Sequence, residues 1–200
     1  MYSERVAGFV RTYLDSQGWK YSFVEEDGVF QFGLNIRGNL RNVRHLIFIR
    51  EDDYSVYAIS PVSADSDNPV QMEQVMEFIC RANYGLRDGN FEFDVDDGEI
   101  RFKTFVNCDG ADASEEIVER SIQIPSAMFT RYGKGLLPII FCDMSAREAI
   151  MLAEGDLFSG PSSDERQEDE TSSADRLLGM LHRLQDDDKN RDEDAVTEDL

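Results

Sequence analysis

Positive charge is what this chain has least of: 20 Lys and Arg stand against 41 Asp and Glu, a formal net charge of −21 at pH 7. Sequence-independent binding to phosphate backbones or anionic membranes needs a positive surface, so neither nucleic acid nor membrane is expected as a partner. Basic proteins, peptides and cations stay open. Cysteine is sparse as well. Cys80, Cys108 and Cys142 are odd in number, widely spaced and without a C-x-x-C pair, which indicates neither a disulfide framework nor a zinc knuckle and suits a reducing cytoplasm. The two histidines, His45 and His182, share no ligand spacing, and no G-x-S-x-G or Cys/His arrangement is present. The longest apolar run, LLPIIFC, falls far short of the roughly 18 residues of a spanning helix. The amphipathic start MYSERVAGFVRTYLDSQGW lacks the apolar core of a signal peptide, so a soluble, unexported protein is expected. No catalytic, cofactor-binding or metal-binding residue is read from the sequence.

What is present is enough apolar content, 41% of 200 residues, to bury one substantial core. Composition changes near Gly155. Residues 154–200 hold sixteen acidic and five basic side chains, about half the net charge on a quarter of the chain. Residues 1–153 therefore read as the folded domain and 154–200 as a mostly disordered acidic tail, too poor in apolar groups to offset the entropy of ordering. One amphipathic helix is expected inside the tail, over 174–185, where Leu177, Met180, Leu181 and Leu184 recur at helical spacing.

In the body, Val6, Phe9, Val10, Tyr13 and Leu14 mark a first helix stopped at Gly18, and a second is expected over Pro69 to Tyr84 with Met72, Val75, Met76, Ile79 and Cys80 on its apolar face. Between them, a two-residue Asp27-Gly28 turn sets Phe23 opposite Phe32, Tyr21 opposite Leu34 and Trp19 opposite Ile36. VRHLIFIR reads as a strand covered on much of both faces, and YSVYAIS returns from it. In RANYGLRDGNFEFDVDDGEIRFK, the crowded DVDDGE is read as a turn. Its phase is wrong for a calcium loop, and an Asp97-Gly98 turn sets Phe93 opposite Phe102, with Glu92 and Asp94 opposite Lys103 and Arg101 on the wet face. After Asn107 a helix is expected from an Asp112/Glu115 capping box, interrupted at Pro125 and continued by Met128, Phe129 and Tyr132. YGKG reads as a kink or break, residues 136–142 fit helix or strand equally, and Ser145 with Glu148 caps a last helix.

The order helix, four strands, helix, two strands, helices resembles the YbjN family of bacterial proteins, described as sensory transduction regulators. Asn83-Tyr84, Gly89-Asn90-Phe91-Glu92 and Asp97-Gly98-Glu99-Ile100 carry the likeness, with Gly18-Trp19 and Tyr132 beside them. The resemblance implies an α+β fold, an α/β sandwich in which helices cover a twisted, mainly antiparallel sheet, as in type III secretion chaperones. Such modules bind protein segments without catalysis, and many form homodimers.

Two groups emerge as partner-binding candidates. Arg37, Arg41 and Arg44 form the local basic cluster of an acidic body, suited to an acidic or carboxylate-bearing partner. Leu177, Leu181 and Leu184 form a stripe that should seek a groove. The tail could dock back on the arginine connection; an unchanged amide spectrum of the body after deleting residues 156–200 would refute that. The function expected is a cytoplasmic, non-catalytic protein-binding regulator or chaperone-like module. A dedicated secretion chaperone is the near alternative, and an enzyme with an unrecognised small-molecule site the distant one.

Overall fold

Local chemistry sets the element boundaries in the computed structural model, which describes residues 2–155. Ser3 accepts a bond from the Val6 amide and starts α1 (Glu4–Ser16), which ends before Gly18 at φ +64°. There follow β1 (Ser22–Val24), β2 (Val29–Asn35), β3 (Asn42–Ile49) and β4 (Asp53–Ile59). Asn68 caps α2 (Pro69–Asn83), with Pro69 at its first turn, where a missing amide hydrogen costs nothing. Next come β5 (Asn90–Phe93), β6 (Ile100–Asn107), α3 (Glu115–Cys142) and α4 (Ala146–Glu154), the last opened by the expected Ser145/Glu148 capping box. All described residues except Gly85–Arg87 belong to one compact unit.

The strands form one antiparallel sheet in the order β1-β2-β3-β4-β6-β5. Side chains alternate along a strand, so Phe30, Ile47, Tyr54, Val56 and Phe102 turn to one face. There α1 packs Val6, Val10 and Leu14, and α3 packs Val118 and Ile122. The result is the expected α+β sandwich, helices on one face of the sheet.

Both hairpins differ from their expected register, and in the same way. Phe23 pairs with Phe30 instead of Phe32, and Phe93 with Ile100 instead of Phe102. A two-residue type I′ turn needs positive φ at both positions, but Asp27 and Asp97 do not adopt it; only Gly28 (+67°) and Gly98 (+76°) do. Each Asp-Gly instead closes a four-residue turn in which the glycine amide donates to the carbonyl four residues back, Val24 or Asp94. The slip is two residues in both cases, so every side chain keeps its face. Trp19 stands beside Phe32, at 5.8 Å, and lies outside β1.

On α2 the buried face is Met72, Val75, Phe78, Ile79 and Ala82; Met76 and Cys80 are exposed. The stripe turns because Phe78 reaches the ring of Tyr132 on α3. Helix α3 is one helix of 28 residues that absorbs Pro125, settles 136–142 as helical and is capped by Ser114, while Asp112 binds Arg5 at 2.8 Å. Pro125 has no amide hydrogen for the Ser121 carbonyl four residues back. The Thr104 hydroxyl of β6 donates to that carbonyl instead, at 2.7 Å. YGKG is no break: a side chain at Gly133 would strike Leu40, and one at Gly135 would strike the Ala149 carbonyl and Phe78, so both glycines allow close packing.

At Phe91 the free edge of β5 is met mainly by one side chain. Asn83 accepts from the Phe91 amide at 2.7 Å and donates to the Phe91 carbonyl at 2.9 Å, imitating a neighbouring strand. Asn83→Ala should cost about 2 kcal/mol in a urea titration, since it strands the part-buried Phe91 amide and leaves the Phe91 carbonyl only the Asn90 side chain, at 3.2 Å. Asn83→Leu should cost as much despite its greater apolar area; full stability for both would contradict this role.

Candidate protein-interaction face

The opposite face of the sheet carries no helix among the described residues, since α1 and α3 pack on the inner face and α2 and α4 pack against α3. Register fixes what it presents. One row runs Gly33, Arg44, Ile59, Arg101, Glu92, and the next Gln31, Leu46, Tyr57, Lys103, Asn90. A third runs Val29, Phe48, Ser55, Phe105. Cations therefore line one end of the face and apolar groups the other. Phe105 is 56% exposed, high for a strand phenylalanine. Phe48 and Tyr57 meet edge to face at 5.6 Å, and Arg101 and Lys103 sit 4.8 and 5.6 Å from the Tyr57 ring.

Arg37 and Arg41 lie in the β2–β3 connection and Arg44 on β3, all three exposed. Leu40, 6% exposed, pins the connection beside Gly133, and Arg41 is held at φ 55°. While Arg37 and Arg41 stay in the connection, register puts Arg44 on the open face with Arg101 and Lys103. Those two, with Leu46, Phe48, Tyr57 and Phe105, were missed by the sequence reading. Their signal was present: VRHLIFIR is continuously apolar because Leu46 and Phe48 occupy its second face, and alternation in IRFKTFVN puts Arg101, Lys103 and Phe105 together. Leu177, Leu181 and Leu184 lie outside the described residues, as does the whole of 156–200.

The acidic hairpin is accounted for by its own bonds. Glu92 accepts from Arg101 at 2.7 Å and lies 3.6 Å from Lys103. Asp94 accepts from the Asp96 amide and Asp97 from the Glu99 amide, each at 2.9 Å. Beside them a depression of about 300 Å³ is lined by Glu92, Phe93, Asp94, Val95, Glu99 and Arg101. His45 is fully buried on the inner face, stacked on Phe32 at 5.2 Å, with Nε2 3.2 Å from the Ser126 hydroxyl. Burial lowers its pKa to about 4, against weaker opposition from the Val43 and Ile122 backbone. It is a core group. Among the described residues no group of three or more His, Cys, Asp and Glu could hold a metal ion, and no helix is long and apolar enough to cross a membrane.

These features define a helix-backed α+β sandwich with an open, mixed cationic and aromatic sheet face. The chain belongs to the YbjN family: the family model, described as "Putative bacterial sensory transduction regulator", matches residues 9–137, from within α1 into α3. No curated protein and no solved structure matches.

Proposed function

We propose that the chain is a cytoplasmic, non-catalytic protein-binding regulator that receives its partner on the open sheet face, with residues 1–153 as the binding domain. Exposure of Phe105 beside Phe48, Tyr57 and the cationic row is the observation that carries the reading, because a sheet face with a large exposed aromatic suits a protein contact. The family description, a regulator, agrees with it. Arg37, Arg41 and Arg44 serve as the basic rim, and Leu177, Leu181 and Leu184 as a second contact supplied by the tail. A dedicated secretion chaperone of the type III kind, working as a homodimer, is the nearest alternative. Quantitative capture from native cytosol with the full-length chain tests the proposal. A defined, stoichiometric partner is expected; one abundant exported protein would favour the chaperone. Capture of no protein, together with a melting shift from a metabolite set, would favour a small-molecule or enzymatic role and overturn it.

A further inference from the structure

Register and charge say which kind of segment suits this face. Arg44, Ile59 and Arg101 stand in one row across β3, β4 and β6, so the two arginine positions are two strand spacings apart, about 10 Å. Ile59 between them is 9% exposed and offers a flat apolar floor. Glu92 already illustrates the ligand: one carboxylate within salt-bridge distance of Arg101 and Lys103 together. Arg44 has no ion pair among the described residues, so a carboxylate there would add to the set without displacing one. The apolar end, Tyr57, Phe48 and Phe105, borders the cationic row directly. Glu99 is a second carboxylate at Arg101, at 3.7 Å, so Arg44, Arg101 and Lys103 face two carboxylates and leave one positive charge over, locally positive in a chain of net charge −21.

Resting on the protein-binding reading above, we infer that the face takes an acidic amphipathic helix of a partner protein, with carboxylates seven residues apart and apolar residues at the third and fourth positions between. Seven helical residues rise about 10.5 Å, which matches the spacing of Arg44 and Arg101. The intervening apolar side chains lie over Ile59 and Tyr57, and the flank of the helix meets Phe48 and Phe105. Rim cations at Arg37 and Arg41 steer the approach and make it salt-sensitive.

The probe is a labelled synthetic helix with two glutamates at that spacing and leucines between, set against a twin with lysines for the glutamates. Fluorescence anisotropy with the full-length chain should give binding at least about tenfold tighter for the glutamate peptide, weakening as salt rises. Arg44→Glu should remove that preference and Phe105→Ser should weaken the glutamate peptide several-fold. Both positions are exposed, and unchanged melting would show the variants folded. Equal affinity for the two peptides, or an Arg44→Glu chain that binds as the wild type does, overturns the inference. So does concentration-dependent sedimentation abolished by Phe105→Ser, which would assign the face to a second copy. A cytosolic partner retained alike by wild type and by a chain carrying both Arg44→Glu and Phe105→Ser would remove this face yet leave the protein-binding reading standing. Neither peptide binding nor partner capture would remove both.

Discussion

Acidification from pH 7 to pH 4 is expected to cost the fold about 3 kcal/mol through His45 alone. The side chain is fully buried on β3, and burial lowers its pKa from 6.5 to about 4. The unfolded chain therefore takes up the proton first. Above pH 6.5 both states are neutral there and the contribution is whole. Between 6.5 and about 4 the unfolded state binds more protons and stability falls with pH, and below that the loss is complete. The cost of burying the charged ring outweighs what the Val43 and Ile122 backbone returns to it. To isolate His45 from every other ionisable group, the comparison is with His45→Gln, which can still bond Ser126 but does not titrate. The stability difference between the two chains, from urea titrations, should shift by about 3 kcal/mol over this window in favour of the variant. A difference that stays flat with pH would mean that His45 is not the buried neutral group described.

The second large effect is at Gly98, where alanine should cost about 3 kcal/mol. Two penalties combine: φ is +76°, and a Cβ would overlap the Ala64 carbonyl, whose residue donates its amide to the Gly98 carbonyl at 3.0 Å. Gly18 isolates the first. It sits at φ +64° with nothing near its missing Cβ, so Gly18→Ala should cost only about 1 kcal/mol. Equal losses at the two sites would remove the steric part.

Gly98 belongs to the stretch that carried the resemblance in the sequence, and its neighbours there are structural too. Asn83 meets the β5 edge at Phe91, Phe91 packs on Phe102, Phe129 and Tyr132, and Gly89 leaves no room for a Cβ beside Phe102. In this chain the stretch therefore encodes how the sheet is finished. Element order and the faces of the strands were legible in the sequence because alternation survives a two-residue slip. The slips themselves were not, because Asp-Gly fits both a two-residue turn and the end of a four-residue one, and only the φ of the aspartate separates them. Helix α3 crosses Pro125 thanks to a hydroxyl from β6, a tertiary contact invisible to local rules. The α2 stripe turned for a like reason, since Phe78 answers to Tyr132. Three arginines of the candidate face were found because they cluster in sequence. Arg101, Lys103, Tyr57 and Phe105 join them only once β3, β4 and β6 are side by side.

Hydroxyl-radical footprinting of the full-length chain with its captured partner tests the central claim most directly. Oxidation of Phe48, Tyr57 and Phe105 should fall several-fold in the complex, while the exposed helix residues Val70 and Phe141 keep their free-chain rates. Protection of Val70 and Phe141 with Phe105 still reactive would place the partner on the helical layer and contradict the account.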